Sequence, residues 1–411
     1  MTLALIDYGC HSFSYRLTSA LRDRGLPVSY FVNGSLESPN LSSLAGWVAN
    51  SPEMIRTICC ARPYGKIGLR KRLQGELEWG RHCVAALEES RPEAVIVSCV
   101  PITAVTAIHR WALSRKVPFI YWLQDIQSKA IHDLLGRKFG MPGRTLGAFA
   151  QLWEQEILER SEMVITIAPG HDKELPRLVR RSGRHALLEN WANIEEFPQH
   201  PVDNEWSRRY GINHTTNLMY SGTLGLKHDL DAFIDLAQRF RSHPDVRIVI
   251  VSSDQAAQTV LAKATSLGLS NVLVFPFQPY AEVPQVLASA TILIAPLEAS
   301  AGGFCVPSKI LSYLCAGRPM VIAINENNAA AATIRNAGAG FVVAPGSAEA
   351  FVNSVECLLN DSQMRLETGR SGRAYAESTF GIENVVQRFT EILGRVNPSF
   401  TLPQVQSAVA S

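Results

Sequence analysis

The sequence lacks the long apolar run of a membrane span: no stretch approaches the roughly 20 residues that an α-helix needs to cross a bilayer. It also lacks an excess of either charge. With 39 Lys and Arg against 37 Asp and Glu, the net charge of +2 is too balanced to imply a nucleic-acid partner, so any electrostatic contact must be read from local patches. Cysteines are few, eight in 411 residues, and even the adjacent Cys59 and Cys60 show no metal-ligand or disulfide spacing. Cys99 and Cys315 sit in apolar runs, and the expectation is reduced thiols in the core, with no metal implied. No basic segment with a long apolar stretch precedes Leu3, so no secretory signal is visible. The expected location is cytoplasmic, with peripheral contact at the inner face of the membrane left open.

A Gly-x-Gly-x-x-Gly turn is absent as well. After the first apolar run comes Asp7-Tyr8-Gly9-Cys10-His11-Ser12, with a single glycine, which disfavours a nicotinamide oxidoreductase. His11 in that turn reads, from its position alone, as a surface residue capping the next helix.

What the sequence does have is rhythm. Hydrophobic residues at 46% and charged residues at 18% exclude disorder and suit a globular αβ chain. Short β-branched runs alternate with amphipathic helical stretches, the pattern of parallel sheets wound with crossover helices. The first half offers Leu3–Ile6, Val28–Val32, Ala94–Val100, Phe119–Leu123, Met163–Ile167 and Ala186–Leu188. The second repeats it with Asn217–Tyr220, Val246–Val251, Val272–Phe275, Thr291–Ala295, Met320–Ile324 and Gly340–Val343. The expected fold is α/β, two Rossmann-like doubly wound lobes facing across a cleft, with the site at the carboxyl edges of the strands. Expected boundaries are a first lobe over 1–190, a linker over 191–212 and a second lobe over 213–378. A helix over 379–397 is expected to pack back on the first lobe, and 398–411 reads as a flexible tail.

The strongest local signal follows the run Thr291–Ala295. There, Gly302-Gly303 lead through Pro307 to Ser308 and Lys309, and Ser308 is a good N-cap for a short helix that Gly317 and Pro319 stop. A glycine-rich loop, a hydroxyl and a lysine at the positive end of a helix suit a diphosphate. The bland reading is a capped helix with a solvated lysine. A second signal is Tyr220-Ser221-Gly222-Thr223-Leu224-Gly225-Leu226-Lys227-His228, where the glycines let the chain turn closely and Lys227 stands at the head of the helix expected over Asp229–Phe240. Asp125 ends Phe119–Leu123 in Gln124-Asp125-Ile126. It reads equally as a cleft carboxylate and as the N-cap of a helix around Ala130–Leu135. Two basic patches, Arg62-Lys66-Arg70-Lys71-Arg72 with apolar residues interleaved and Arg177-Arg180-Arg181-Arg184, read either as solvated faces or as an anionic membrane contact.

On Tyr220-Ser221-Gly222-Thr223 through Lys227, Val306-Pro307-Ser308-Lys309 and Ala316-Gly317-Arg318-Pro319, the second lobe resembles the retaining glycosyltransferases of the fourth sequence family, which have the GT-B fold. Its bacterial exopolysaccharide and colanic acid branch is the nearest, with weaker echoes in Leu123-Gln124-Asp125-Ile126 and Glu189-Asn190-Trp191. The resemblance implies that Lys227 contacts the diphosphate of a nucleotide-sugar, with UDP or GDP donors, and that the first lobe takes a glycan or lipid-linked acceptor. It implies a donor site of Gly222, Thr223, Lys227, Gly302, Gly303, Pro307, Ser308, Lys309, Ser312 and Glu298, with Phe277 and Gln278 flanking the base. The resemblance further implies that Gly9 and His11 face the reacting groups and that neither metal nor cofactor takes part, and Asp125 is expected to face the acceptor. The chain departs from the family twice. Thr223 stands where an Arg is usual, and the positions of the usual Glu pair hold Phe304 and Ser312. A nucleotide-sugar epimerase of the same fold and a non-catalytic partner subunit are the alternatives.

Overall fold

The computed structural model describes residues 2–35, 41–60, 69–167, 171–225, 227–299 and 309–402. They form two compact units, Met1–Asn190 with Ile382–Ser411, and Trp191–Gly381.

The first unit is built on seven parallel strands: β1 (Leu3–Asp7), β2 (Val28–Asn33), β3 (Ile55–Ile58), β4 (Ala94–Ser98), β5 (Phe119–Leu123), β6 (Met163–Thr166) and β7 (His185–Leu187). Their order is β3-β2-β1-β4-β5-β6-β7. β1, β4 and β5 are buried along their whole length, as near-continuous apolar strands covered on both faces must be. Asp7 pairs with Ser98 in register, so the chain reverses its winding between β1 and β4 just where Asp7 ends its strand. Ligands of doubly wound sheets bind at that switch point.

The second unit repeats the plan with β8 (Thr216–Ser221), β9 (Val246–Val251), β10 (Val272–Phe275), β11 (Ile292–Pro296), β12 (Met320–Ala323) and β13 (Gly340–Val343), in the order β10-β9-β8-β11-β12-β13. Its switch point falls between β8 and β11, where Leu218 pairs with Ile292. The helix Lys309–Ala316 buries Ile310, Leu311, Tyr313, Leu314 and Cys315 and stops at Gly317, whose φ of 66° is left-handed.

Four expectations change. β3 has no counterpart in the strand pattern read from the sequence. Residues 191–212 are packed rather than a bare linker: Glu205–Arg209 is a short helix closed by an Asn204–Ser207 capping box, and Trp206 is fully buried. The turn Pro398–Phe400, after the helix Ile382–Val396, buries Phe400, so the tail does not begin at 398. Among the described cysteines, Cys10, Cys83 and Cys315 are buried, whereas Cys59 and Cys357 are exposed.

Candidate functional site

In the second unit, a cavity of about 170 Å³ opens at the carboxyl ends of β8 and β9, lined among others by Ser221, Gly222, Phe277, Gln278, Lys309 and Ser312. Five of these six were singled out from sequence; Ser221 was part of the motif without a role. Lys309 starts the helix after β11, yet its Nζ donates to the Tyr220 hydroxyl at the end of β8, 2.5 Å away, and lies 4.2 Å above that ring. It is also 3.2 Å from His228 Nε2. Gly222 has a φ of 134°, and a Cβ there would touch the Lys309 chain at 3.4 Å, so the glycine serves both the turn and the lysine beside it.

The electrostatics are lopsided. Burial pushes the His228 imidazole down to about 4, with Lys309 adding to the push and the Gly225 backbone and Asp254 opposing it, so the ring is neutral beside the Lys309 ammonium. Backbone N–H groups of the turn contribute little, because Gly222 donates to Val251, Leu224 to Asp254 and Gly225 to His228. The positive charge is therefore carried by side chains.

Lys227 is not at a helix head. The helix begins at Asp231, and Lys227 lies exposed in the preceding loop, where its carbonyl accepts from the Glu298 N–H and the chain bridges His228 to Leu297. This antiparallel bridge brings the loops after β8 and β11 together, with Glu298 and Thr223 exposed on them. Gly302, Gly303, Pro307 and Ser308 lie outside the described residues, as do Arg62 and Lys66 of the first basic patch. In the second patch, Arg184 is spent on the carbonyls of Glu159 and Ser161.

In the first unit, the buried Asp7 is a hub. Its Oδ1 accepts from Gly9 N at 2.9 Å and His11 Nδ1 at 2.8 Å, and its Oδ2 from His11 N at 2.8 Å and the Tyr30 hydroxyl at 2.9 Å. His11 occupies the N-cap position of Ser12–Asp23 without capping it by side chain, because the ring is turned back onto Asp7. Burial opposes charge on both groups. The His11 imidazole and the donated hydrogen bonds outweigh it to hold the Asp7 carboxyl low, and Asp7 followed by Cys99 outweighs it to hold His11 well above the ordinary histidine value. The pair is thus ionised at neutral pH.

Gly9 makes room for this fold-back, since a Cβ there would lie 2.0 Å from His11 Cε1. Gly9→Ala is expected to push the imidazole off Asp7, cost about 1–2 kcal/mol and return the His11 titration toward its ordinary value. Proton-detected NMR titration of the histidines checks it.

Cys99, in a left-handed conformation after β4, brings its sulfur within 4.8 Å of the ligand atoms of Asp7 and His11. This is the donor set of a small metal site, but the oxygens of Asp7 already take four N–H and O–H donors. The arrangement serves an ion pair. Spacing could not reveal Cys99, while a fully buried acid at a strand end with a histidine four residues on is a signal for Asp7. Asp125 is exposed and lies one residue before the N-cap position of the next helix, which Ile126 holds; that helix begins at Gln127, and its Ser128 N–H donates to Glu154 Oε2. Its neighbour Gln124 accepts from Asn190 Nδ2 at 2.7 Å, joining the two weaker motif segments.

The family description "Glycosyl transferase 4-like domain" matches residues 9–191 and "Glycosyl transferases group 1" matches residues 202–375. The chain is 26% identical over 275 residues to a protein of Escherichia coli (strain K12) named as the colanic acid biosynthesis glycosyl transferase WcaI, covering 64% of this chain and 65% of that one. It is 26% identical over 226 residues to the GDP-mannose-dependent monoacylated alpha-(1-6)-phosphatidylinositol monomannoside mannosyltransferase of Corynebacterium glutamicum, covering 53% of this chain and 59% of the other. The chain therefore spans 65% and 59% of the length of these curated relatives. Among solved structures it is similar to Anabaena Alr3699/HepE in complex with UDP and glucose, with a TM-score of 0.71, 16% identity and coverage of 96% and 99% of the two chains. Two sheets in the same doubly wound order, each matched by its own glycosyl transferase description, make this chain a member of the GT-B glycosyltransferases, related to the bacterial exopolysaccharide and colanic acid enzymes.

Proposed function

We propose that the chain moves a hexose from a nucleoside-diphosphate sugar to a glycan or lipid-linked glycan acceptor in cell-surface polysaccharide biosynthesis, with retention and without a metal. The single observation that carries the donor part is Lys309 on the wall of the cavity of the second unit, its Nζ held by the Tyr220 hydroxyl and 3.2 Å from His228 Nε2. A departing diphosphate gains negative charge, and cations fixed where that charge grows lower the barrier. Lys309 is held by Tyr220, so little reorganisation is needed when the charge appears. Phe277, 43% exposed, and Gln278, on the loop after β10, flank a uracil or guanine base. Gly302, Gly303, Pro307 and Ser308 are the residues that the sequence offers to the phosphates, with Ser312 and Glu298 for the sugar. Retention follows from the acceptor's attack on the face that the phosphate leaves, the phosphate oxygen itself taking the proton. Gly9, His11 and Asp125 are the acceptor-side groups. The workplace fitting such an acceptor is the cytoplasmic face of the membrane; no helix of the described residues is long and apolar enough to cross it.

Binding of a nucleoside diphosphate is expected to raise the His228 titration from about 4, because an added anion favours the imidazolium. Histidine NMR with and without UDP or GDP measures this. A His228 titration unmoved by saturating nucleotide rules the diphosphate out of this cavity.

A further inference from the structure

The helical segment Gln127–Arg160 of the first unit is two arms folded on each other. Gly140, with φ 62° and ψ −137°, interrupts the helix, and Pro142 opens the second arm. The arms meet through glycine: a Cβ on Gly147 would lie 2.4 Å from His132 Cα, and one on Gly143 2.0 Å from the Leu135 carbonyl oxygen. The base of the hairpin is anchored, because Trp153, Ile157 and Leu158 pack into the core of the unit. The outer part is not covered. Leu134, Phe139, Met141, Leu146, Phe149 and Leu152 are all between 51% and 71% exposed. Leu146, Phe149 and Leu152 recur every third residue and form one stripe on the second arm.

Apolar side chains gathered this way mark a surface that meets something other than water. The charges say what. Between Asp133 and Glu154 the sequence carries Arg137, Lys138 and Arg144 and no acidic residue. An outer part, residues 134–153, with bulky apolar side chains and only cations among its charges matches the interface of an anionic bilayer, where apolar groups enter the acyl boundary and cations meet headgroup phosphates. We propose that the hairpin 127–160 is a docking surface for an anionic phospholipid membrane, with Met141 and Phe149 among the side chains that enter it. Nothing in the donor chemistry requires this surface, so vesicle binding and sugar transfer to a soluble acceptor can fail separately.

Flotation of the full chain with vesicles of phosphatidylglycerol and phosphatidylcholine, or of phosphatidylcholine alone, tests the proposal. The chain is expected to float with the anionic vesicles, less so as salt is raised. Met141→Glu with Phe149→Glu should lower the bound fraction at least about tenfold, with unchanged thermal unfolding and unchanged transfer to a soluble acceptor. A Phe149→Trp chain should gain a blue-shifted emission component, absent from the wild type, on adding the anionic vesicles, a readout that survives if the double variant folds poorly. Absence of flotation, equal flotation of the double variant, or a Phe149→Trp emission that the vesicles leave unshifted overturns the proposal. So does a double variant that only dissociates an oligomer in analytical ultracentrifugation while binding vesicles as before.

Discussion

Lys309→Ala is expected to lower kcat/KM for a nucleotide-sugar about 100- to 1,000-fold, the loss of a preorganised charge donor worth about 2.7–4 kcal/mol at the transition state. The magnitude rests on fixation. Lys309 is half-buried, bonded to Tyr220 and stacked on its ring, and a charge held so gains more from a developing anion than a solvated one. Lys227 is exposed on its loop, and Lys227→Ala is expected to cost only about tenfold, as water screens its charge. The two variants differ in a second readout. Lys309 is the largest charge holding His228 down, so its removal should let the histidine titrate higher, and Lys227→Ala should do so by less. Steady-state kinetics with histidine NMR separates a loss of charge from a loss of fold.

Asp7→Ala is expected to destabilise the first unit by about 3 kcal/mol, because it leaves a partly buried imidazolium without its counter-charge and the Tyr30 hydroxyl with only the longer bond to the His11 carbonyl. Its pH signature has a definite sign. The Asp7 carboxyl is held below its ordinary value, so its contribution is present above the ordinary carboxylate range and lost as pH falls through the lowered value. The His11 imidazole is held above its ordinary value, so its contribution is complete below that ordinary value and lost as pH rises through the raised one. Urea unfolding of the wild type should therefore show its greatest advantage over Asp7→Ala between the two ordinary values, and a narrowing gap on either side. A gap that does not change with pH would assign Asp7 a purely steric role.

Much of this was legible because parallel sheets buried on both faces announce themselves. Phe119–Leu123 and Val272–Phe275 are continuous apolar runs, Val246–Val251 is broken only by Arg247, and the chain forms strands over just those residues. β3 escaped notice because it is an edge strand of four residues whose middle pair, Arg56 and Thr57, is exposed, so it carries almost no apolar signature. The pairing of Gly222 with Lys309 was readable in outline, since motifs after β8 and β11 meet if those strands are neighbours at the switch point. The parts played by Tyr220 and His228 were not readable. They depend on side-chain directions that turn a strand-end tyrosine into the lysine's support and a loop histidine into a neutral group beside its ammonium. The assignment of Lys227 to a helix head failed for a related reason: a turn closed by the His228 N–H on the Gly225 carbonyl and a bridge between His228 and Leu297 occupy these residues, and the helix starts only at Asp231. In the first unit, Cys99 meets His11 only because β4 lies beside β1, a contact that no local spacing encodes.

Calorimetric titration of the wild-type chain and of Lys309→Ala with UDP and GDP tests the central claim most directly. One of the two nucleotides should bind the wild type and raise its melting temperature by mass action, and Lys309→Ala should weaken that binding at least about tenfold, the loss of a charge-assisted contact. Binding of neither nucleotide, or equal binding to both proteins, would contradict a diphosphate grip at Lys309.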